Sequence, residues 1–261
     1  MLICLQTPLA PGADAWWRRP RALGAAAYAL LRLGDPNLAQ RLHEARQLRP
    51  FTVSALEGDE GVRLRLTGLT EAASAGILGG AQRWAEGEPL TFGEARLRYP
   101  AEDGDLRIVR TTYAELSELP FRAQMALQFR TPTLFKQAGG INLPLPAPEL
   151  LVRSWARRWN AAAAELLRFP EALIGELAGS AMLAEAEIVT RRVRLAKGSL
   201  LGFVGRIQLR AHGARQWSAA RRSAWAALIA YSRFCGTGAR TAQGLGLTLP
   251  AAGENHHASP R

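Results

Sequence analysis

Lysine and cysteine are nearly missing from this chain of 261 residues, which has only Lys136, Lys197, Cys4 and Cys235. Two cysteines so far apart give neither a zinc-ligand spacing nor a disulfide framework. They read as small buried apolar side chains in a protein expected in a reducing cytoplasm. No apolar run approaches the ~18 residues of a membrane span. The opening, Met1 to Pro8, lacks the basic stretch and apolar length of an export signal and reads as a first strand. Neither a membrane, a metal nor any other cofactor is expected.

What is abundant is arginine. Lys plus Arg number 33 against 22 Asp plus Glu, giving a net charge of +11 and a pI of about 11.0. Such an excess favours a polyanionic partner, nucleic acid before an anionic membrane surface. An arginine surplus set by base composition alone would look the same, so charge needs support from motifs. A hydrophobic content of 48% excludes wholesale disorder, and the length suits one large domain or two small ones.

Strands and helices alternate in two rounds. After the first strand, residues 21–33 predict an alanine-rich helix ended by Gly34, and Asp35-Pro36 starts a second, with Asp as N-cap and Pro at the first helical position. Residues 51–56 and 62–66 read as strands, 71–85 as helix, and 90–99 and 106–111 as strands. The second round has a strand at 124–130, a proline-rich loop at 132–148, and helices at 148–164 and 170–179. Two long strands follow at 184–195 and 199–211, turning at Lys197-Gly198, then a helix at 218–234 and a last strand. Each round is compatible with βαββαβ, and periodicity by itself gives α+β.

The loop before that last strand, Gly236-Thr-Gly-Ala-Arg-Thr-Ala-Gln-Gly-Leu-Gly246, holds two Gly-x-Gly pairs. Its backbone must turn tightly and approach something closely. Bare amides with Arg240, Thr237 and Thr241 point toward a phosphate. The competing reading is structural: Gly236 as a left-handed helix cap, Gly244 and Gly246 as a bulge. A loop that follows a helix is in the wrong order for a dinucleotide site or a P-loop.

Of the four histidines, His256 and His257 lie in a polar tail and His212 sits beside Gly213 at a strand end. His43 alone lies in a structured element with reactive neighbours. Around its helix Leu38, Leu42 and Ala45 make the buried stripe, and His43 shares the other face with Gln40, Arg46 and Gln47. A histidine so placed is ordinarily a surface residue.

Binding surfaces are marked less sharply. Arg192 and Arg194 alternate with apolar residues on one long strand, as do Arg206, Gln208 and Arg210 on the next. If the hairpin register keeps parity, they form one basic ribbon able to track a backbone. Trp155 and Trp159 belong to an apolar helix stripe and read as core, with Arg153 and Arg157 as an exposed ridge. Trp16 and Trp17 beside Arg18 and Arg19 are the better candidates for base stacking.

Three segments carry a resemblance. Leu127-Gln-Phe-Arg-Thr-Pro-Thr-Leu-Phe135 is followed by Pro144-Leu-Pro-Ala-Pro148 and Trp155-Ala-Arg-Arg-Trp-Asn160. Pro36-Asn-Leu-Ala-Gln-Arg-Leu-His43 leads to Pro50-Phe-Thr-Val-Ser54, and the glycine loop is the third. In this order they resemble the repeat-processing endoribonucleases of the RAMP superfamily, which act on CRISPR repeat RNA. The resemblance implies two tandem ferredoxin-like domains, 1–122 and 123–252, and 253–261 reads from its own sequence as a disordered tail. It also implies metal-independent cleavage of precursor CRISPR RNA by 2′-hydroxyl attack, leaving a 2′,3′-cyclic phosphate. The family's catalytic positions fall here on Tyr28, His43 and Arg49, and its glycine loop binds RNA. Where relatives often carry lysine, Arg49 favours charge stabilisation over proton transfer. Expected partners are the repeat RNA, other CRISPR effector subunits and a second copy in a homodimer. A catalytically silent RAMP subunit that only binds guide RNA is the alternative, and the acid and base assignment between Tyr28 and His43 stays open.

Overall fold

The computed structural model describes residues 1–9, 15–45, 48–59, 61–93, 95–99 and 106–251, and all but the side chains of Trp17 and Ala95 among them. The expected tail at 253–261, with His256 and His257, lies outside them, as do Arg46 and Gln47.

Two four-stranded antiparallel sheets organise the chain. The first uses β1 (Leu2–Leu9), β2 (Phe51–Gly58), β3 (Gly61–Gly68) and β6 (Arg107–Thr111) in the order β2-β3-β1-β6. The second uses β7 (Gln124–Thr133), β10 (Ala181–Arg194), β11 (Ser199–Ala211) and β12 (Thr248–Pro250) in the order β10-β11-β7-β12. Numbered within its own half, each sheet reads 4-1-3-2, the arrangement of two tandem ferredoxin-like folds.

Helices supply the cover. In the first half α1 (Pro20–Gly34), α2 (Pro36–Glu44) and α3 (Glu71–Ala85) intervene between strands. The cap forms as the sequence predicts, the Asp35 carboxylate accepting from the Leu38 amide at 2.8 Å. Odd positions of β1 and even positions of β3 face α1 and α3, so Ile3, Leu5, Leu64 and Leu66 pack with Leu30, Ile77 and Trp84. In the second half α5 (Pro148–Ala162), α6 (Glu171–Gly179) and α7 (Ala219–Cys235) cover Leu127, Phe129, Phe203 and Ile207. Each such side chain contributes about 1.5–3 kcal/mol on burial. Trp155 and Trp159 are core: the Trp155 indole donates to the Thr237 hydroxyl at 2.8 Å and that of Trp159 to the Leu167 carbonyl at 2.7 Å.

Three local readings are corrected. The expected strand at 90–99 is a hairpin of β4 (Leu90–Phe92) and β5 (Ala95–Leu97), because Gly93 takes φ +55° and reverses the chain. The proline-rich loop carries a short ladder of β8 (Phe135–Lys136) and β9 (Asn142–Leu143). A further helix, α4 (Tyr113–Ser117), follows a capping box in which Thr112 and Glu115 satisfy each other's backbone amides.

Candidate functional site

A cleft of about 1060 Å³ opens between the two halves. Its first wall is built from α1, α2 and the segment after them, its second from α5, β8 and the glycine loop. Arg21 and Arg32 on α1, Arg49 after α2, Lys136, three arginines of α5 and Arg240 line it, and none of its described lining residues is a carboxylate. Among the described residues, no group of three or more His, Cys, Asp and Glu side chains is placed to hold a metal.

Tyr28, His43 and Arg49 come together on the first wall. The Tyr28 and His43 rings meet edge to face with centroids 5.3 Å apart, and Tyr28 packs likewise on Phe51 at 5.3 Å. His43 itself is exposed, as its polar helix face predicts. The Tyr28 hydroxyl donates to the Leu42 carbonyl at 3.1 Å. Half-burial pushes the phenol pKa up against a smaller opposing pull from Arg49, so Tyr28 enters neutral solution as a protonated phenol. Arg49 lies with its guanidinium 6.0 Å from the Tyr28 ring centroid, donating to the Ala45 carbonyl and, at 3.4 Å, to that of His43. These carbonyls end α2, where a cation is favoured.

The glycine loop forms the second wall, with Gly236 capping α7 at φ +64°. Its amides are largely taken: Thr237 donates to Gly246, Gly238 to the Ser154 hydroxyl, Ala239 to Leu134 and Gly246 to Pro132, all at 2.8–3.1 Å. Two glycines are required by close approach. A Cβ on Gly238, at φ +73°, would lie 2.2 Å from the Leu134 carbonyl oxygen, and one on Gly246, at φ +74°, 2.0 Å from that of Thr237. Gly236, Thr241 and Gly246 are buried and Gly244 packs on Leu23, so the picture of bare amides offered to a phosphate is replaced by a rigid loop. That loop presents Ala239, Arg240 and Ala242 to the cleft. Arg240 holds φ +60°, the one non-glycine positive φ among the described residues, and donates to the Gln243 amide oxygen at 2.8 Å.

Arg158 was missed. It is 7% exposed and donates to the Gly238 carbonyl at 2.9 Å, and burial lowers its pKa. The signal was present: Arg158 stands three residues after Trp155, on the same inward helix face. Arg153, read with Arg157 as an exposed ridge, pairs with Glu149 at 2.9 Å and Glu171 at 3.2 Å.

Other expected sites are rearranged. Trp16 is 8% exposed and packs edge-on against Phe92 at 5.0 Å, so it is core and not a stacking platform. Arg18 forms a two-pronged pair with Glu57 at 2.8 and 3.0 Å. The basic ribbon is split, because the register sets Arg192 opposite Leu201 and Arg206 opposite Glu187. Arg192 and Arg194 therefore lie on the face of Phe203 and Ile207, and Arg206 and Arg210 on the reverse. Arg192 and Arg194 instead line a second groove of about 640 Å³ with Arg18, Arg19, Arg130 and Gly244.

The family CRISPR-associated endoribonuclease Cas6 matches residues 127–248. No curated protein matches in sequence. Among solved structures, Thermus thermophilus Cas6 is 29% identical with a TM-score of 0.64, covering 96% of this chain and 97% of its own. The product complex of that Cas6 gives 28% identity and a TM-score of 0.78, with coverage of 96% and 99%. A Cas6-related protein from Pyrococcus furiosus, 12% identical with a TM-score of 0.59 and coverage of 97% and 99%, shares the fold. The family match over residues 127–248 and the likeness to Cas6 structures along nearly the whole length support a protein of the Cas6 type.

Proposed function

We propose that the cleft binds the repeats of precursor CRISPR RNA and cuts them, without a metal ion, through the 2′-hydroxyl of the substrate. The observation that carries this reading is the meeting of His43 and Tyr28 from one half with Arg158 and Arg240 from the other, across a cleft whose lining is cationic. A polyphosphate chain is what such a lining attracts. Oxygen-liganded metal ions call for carboxylates, which the described lining residues do not offer. Two of the similar structures are Cas6 product complexes, each matched along 96% or more of this chain.

The chemistry requires three things. A proton leaves the 2′-hydroxyl, whose oxygen attacks the adjacent phosphorus. The bond from phosphorus to the 5′-oxygen breaks, and that oxygen takes up a proton. Extra negative charge on the non-bridging oxygens is stabilised in between. The products are a 2′,3′-cyclic phosphate and a free 5′-hydroxyl. His43 is exposed and lines the cleft, where an imidazole can take or give the proton. With two carbonyls on one edge of Arg49, its five-donor fork has N–H groups left for the phosphate. Tyr28 orients the imidazole edge and the end of α2.

The test is cleavage of the cognate repeat in excess EDTA, with ribose or deoxyribose immediately 5′ of the scissile phosphate. The ribose substrate is expected to be cut and the deoxyribose one to stay intact. A requirement for added divalent metal, with the RNA already folded, overturns the mechanism.

A further inference from the structure

His43 and the glycine loop belong to different halves, so their separation is set by how one half is seated on the other. The first sheet turns its second face toward α7. Along it Thr52, Thr67 and Cys4 form one cross-strand row, and Ser54, Arg65 and Gln6 the next. The last carbonyls of α7 land on these rows. The Thr67 hydroxyl donates to the Phe234 carbonyl at 2.7 Å, the Thr52 hydroxyl to the same oxygen at 3.1 Å, and the Arg65 guanidinium to the Arg233 carbonyl at 2.6 Å. Two residues later Gly236 opens the glycine loop.

Arg65 is unusual in this company. It is 1% exposed, and its other contact is the Cys4 sulfur. Its Nε has no partner among the described residues, and burial pulls its pKa down. A fully buried guanidinium without a carboxylate is costly. Here the negative end of α7 is the compensating group, since the unpaired C-terminal carbonyls of a helix favour a cation. An arginine kept in such a place, where an apolar side chain would fill the space more cheaply, ties one orientation of α7 to one strand of the first sheet.

We propose that Arg65 is a positioning residue for RNA cleavage: with Thr52 and Thr67 it seats the end of α7, and so fixes the glycine loop against His43. It touches no substrate. This rests on the proposed function above. Loosening it shifts the RNA held by the second wall relative to the imidazole on the first, and misplacement of reacting groups by about 1 Å costs as much as a hundredfold in rate.

The experiment is single-turnover cleavage of the cognate repeat at saturating protein, with mapping of the cut, for the full chain and for Arg65→Met, Arg65→Lys and the isosteric pair Thr52→Val with Thr67→Val. Affinity is measured on a 2′-deoxy repeat and folding by thermal melting. Arg65→Met is expected to lower the rate about tenfold or more and to spread the cut to neighbouring phosphates, with affinity nearly unchanged. Arg65→Lys restores part of the rate and the single cut. If Arg65→Met does not fold, the threonine pair carries the test and is expected to lose rate with affinity kept. A folded Arg65→Met, or in its absence a folded threonine pair, that cuts at the parental rate and position overturns the proposal. If the parental chain does not cut the repeat at all, it is the proposed function that fails.

Discussion

Each half follows its first long helix with a second helix of nine residues, and the two have opposite fates. In the second half α6 turns Ile174, Leu177 and Ala178 into the core beneath α5 and α7. In the first half α2 buries only Leu38 and Ala39 and shows His43 to the cleft. The connection into the last strand diverges as well. One half uses the β4–β5 hairpin there, the other the glycine loop. The repeated scaffold is thus an answer to burial, and the candidate chemistry sits where the repeats depart from each other. The two departures also differ in how they are held. The glycine loop is tied down by bonds to Leu134, Pro132, Ser154 and Arg158, whereas α2 is fastened at its end by Tyr28 and Arg49.

If one wall grips and the other reacts, substitutions should sort by wall. The largest effect on the gripping wall is expected from Gly238→Ala, where a Cβ meets the Leu134 carbonyl and the backbone is left-handed. It should cost about 2 kcal/mol of stability or more and weaken repeat binding, read by thermal melting and by titration on a 2′-deoxy repeat. Parental melting and affinity would break the comparison at the rigid loop. Arg240→Ala should weaken binding severalfold and reduce its salt slope by about one unit or somewhat less, with the rate at saturation almost unchanged. A loss of rate at unchanged affinity would move Arg240 to the reacting wall.

The smallest effect belongs to Tyr28→Phe. Its hydroxyl is used on the Leu42 carbonyl, so its loss should cost about fivefold in single-turnover rate, the equivalent of one hydrogen bond worth about 1 kcal/mol, with affinity unchanged. A loss of a thousandfold would instead make the phenol a direct participant.

The element order was legible because the apolar periods are clean and the punctuation is local. Asp35-Pro36 announces α2, and the apolar face of residues 148–164 puts Trp155 and Trp159 inside. What was not legible depends on partners far away in sequence. Parity along β10 and along β11 is readable separately, but only the register across the turn shows that Arg192 and Arg206 take opposite faces. Trp16 reads as a loop indole because its ring partner, Phe92, is far away in sequence. The glycines were correctly marked as places of close approach, yet what approaches is this chain's own carbonyl groups. Two local signals went unread, the Gly93 turn and the Thr112 to Glu115 capping box. Arg65 sits in mid-strand with no pattern to distinguish it, since its partners lie 168 and 61 positions away.

The claim that His43 does the chemistry on a wall separate from the one that holds the RNA has one direct measurement. Single-turnover rates of His43→Ala and the parental chain are compared at saturating protein, beside affinities for the 2′-deoxy repeat. The account predicts a rate loss of about 10²–10⁴ with affinity within about twofold, since general acid–base catalysis supplies that much and an exposed imidazole contributes little to binding or folding. A variant that cuts within about threefold of the parental rate contradicts it, and the cleft would then be a binding site whose chemistry lies elsewhere.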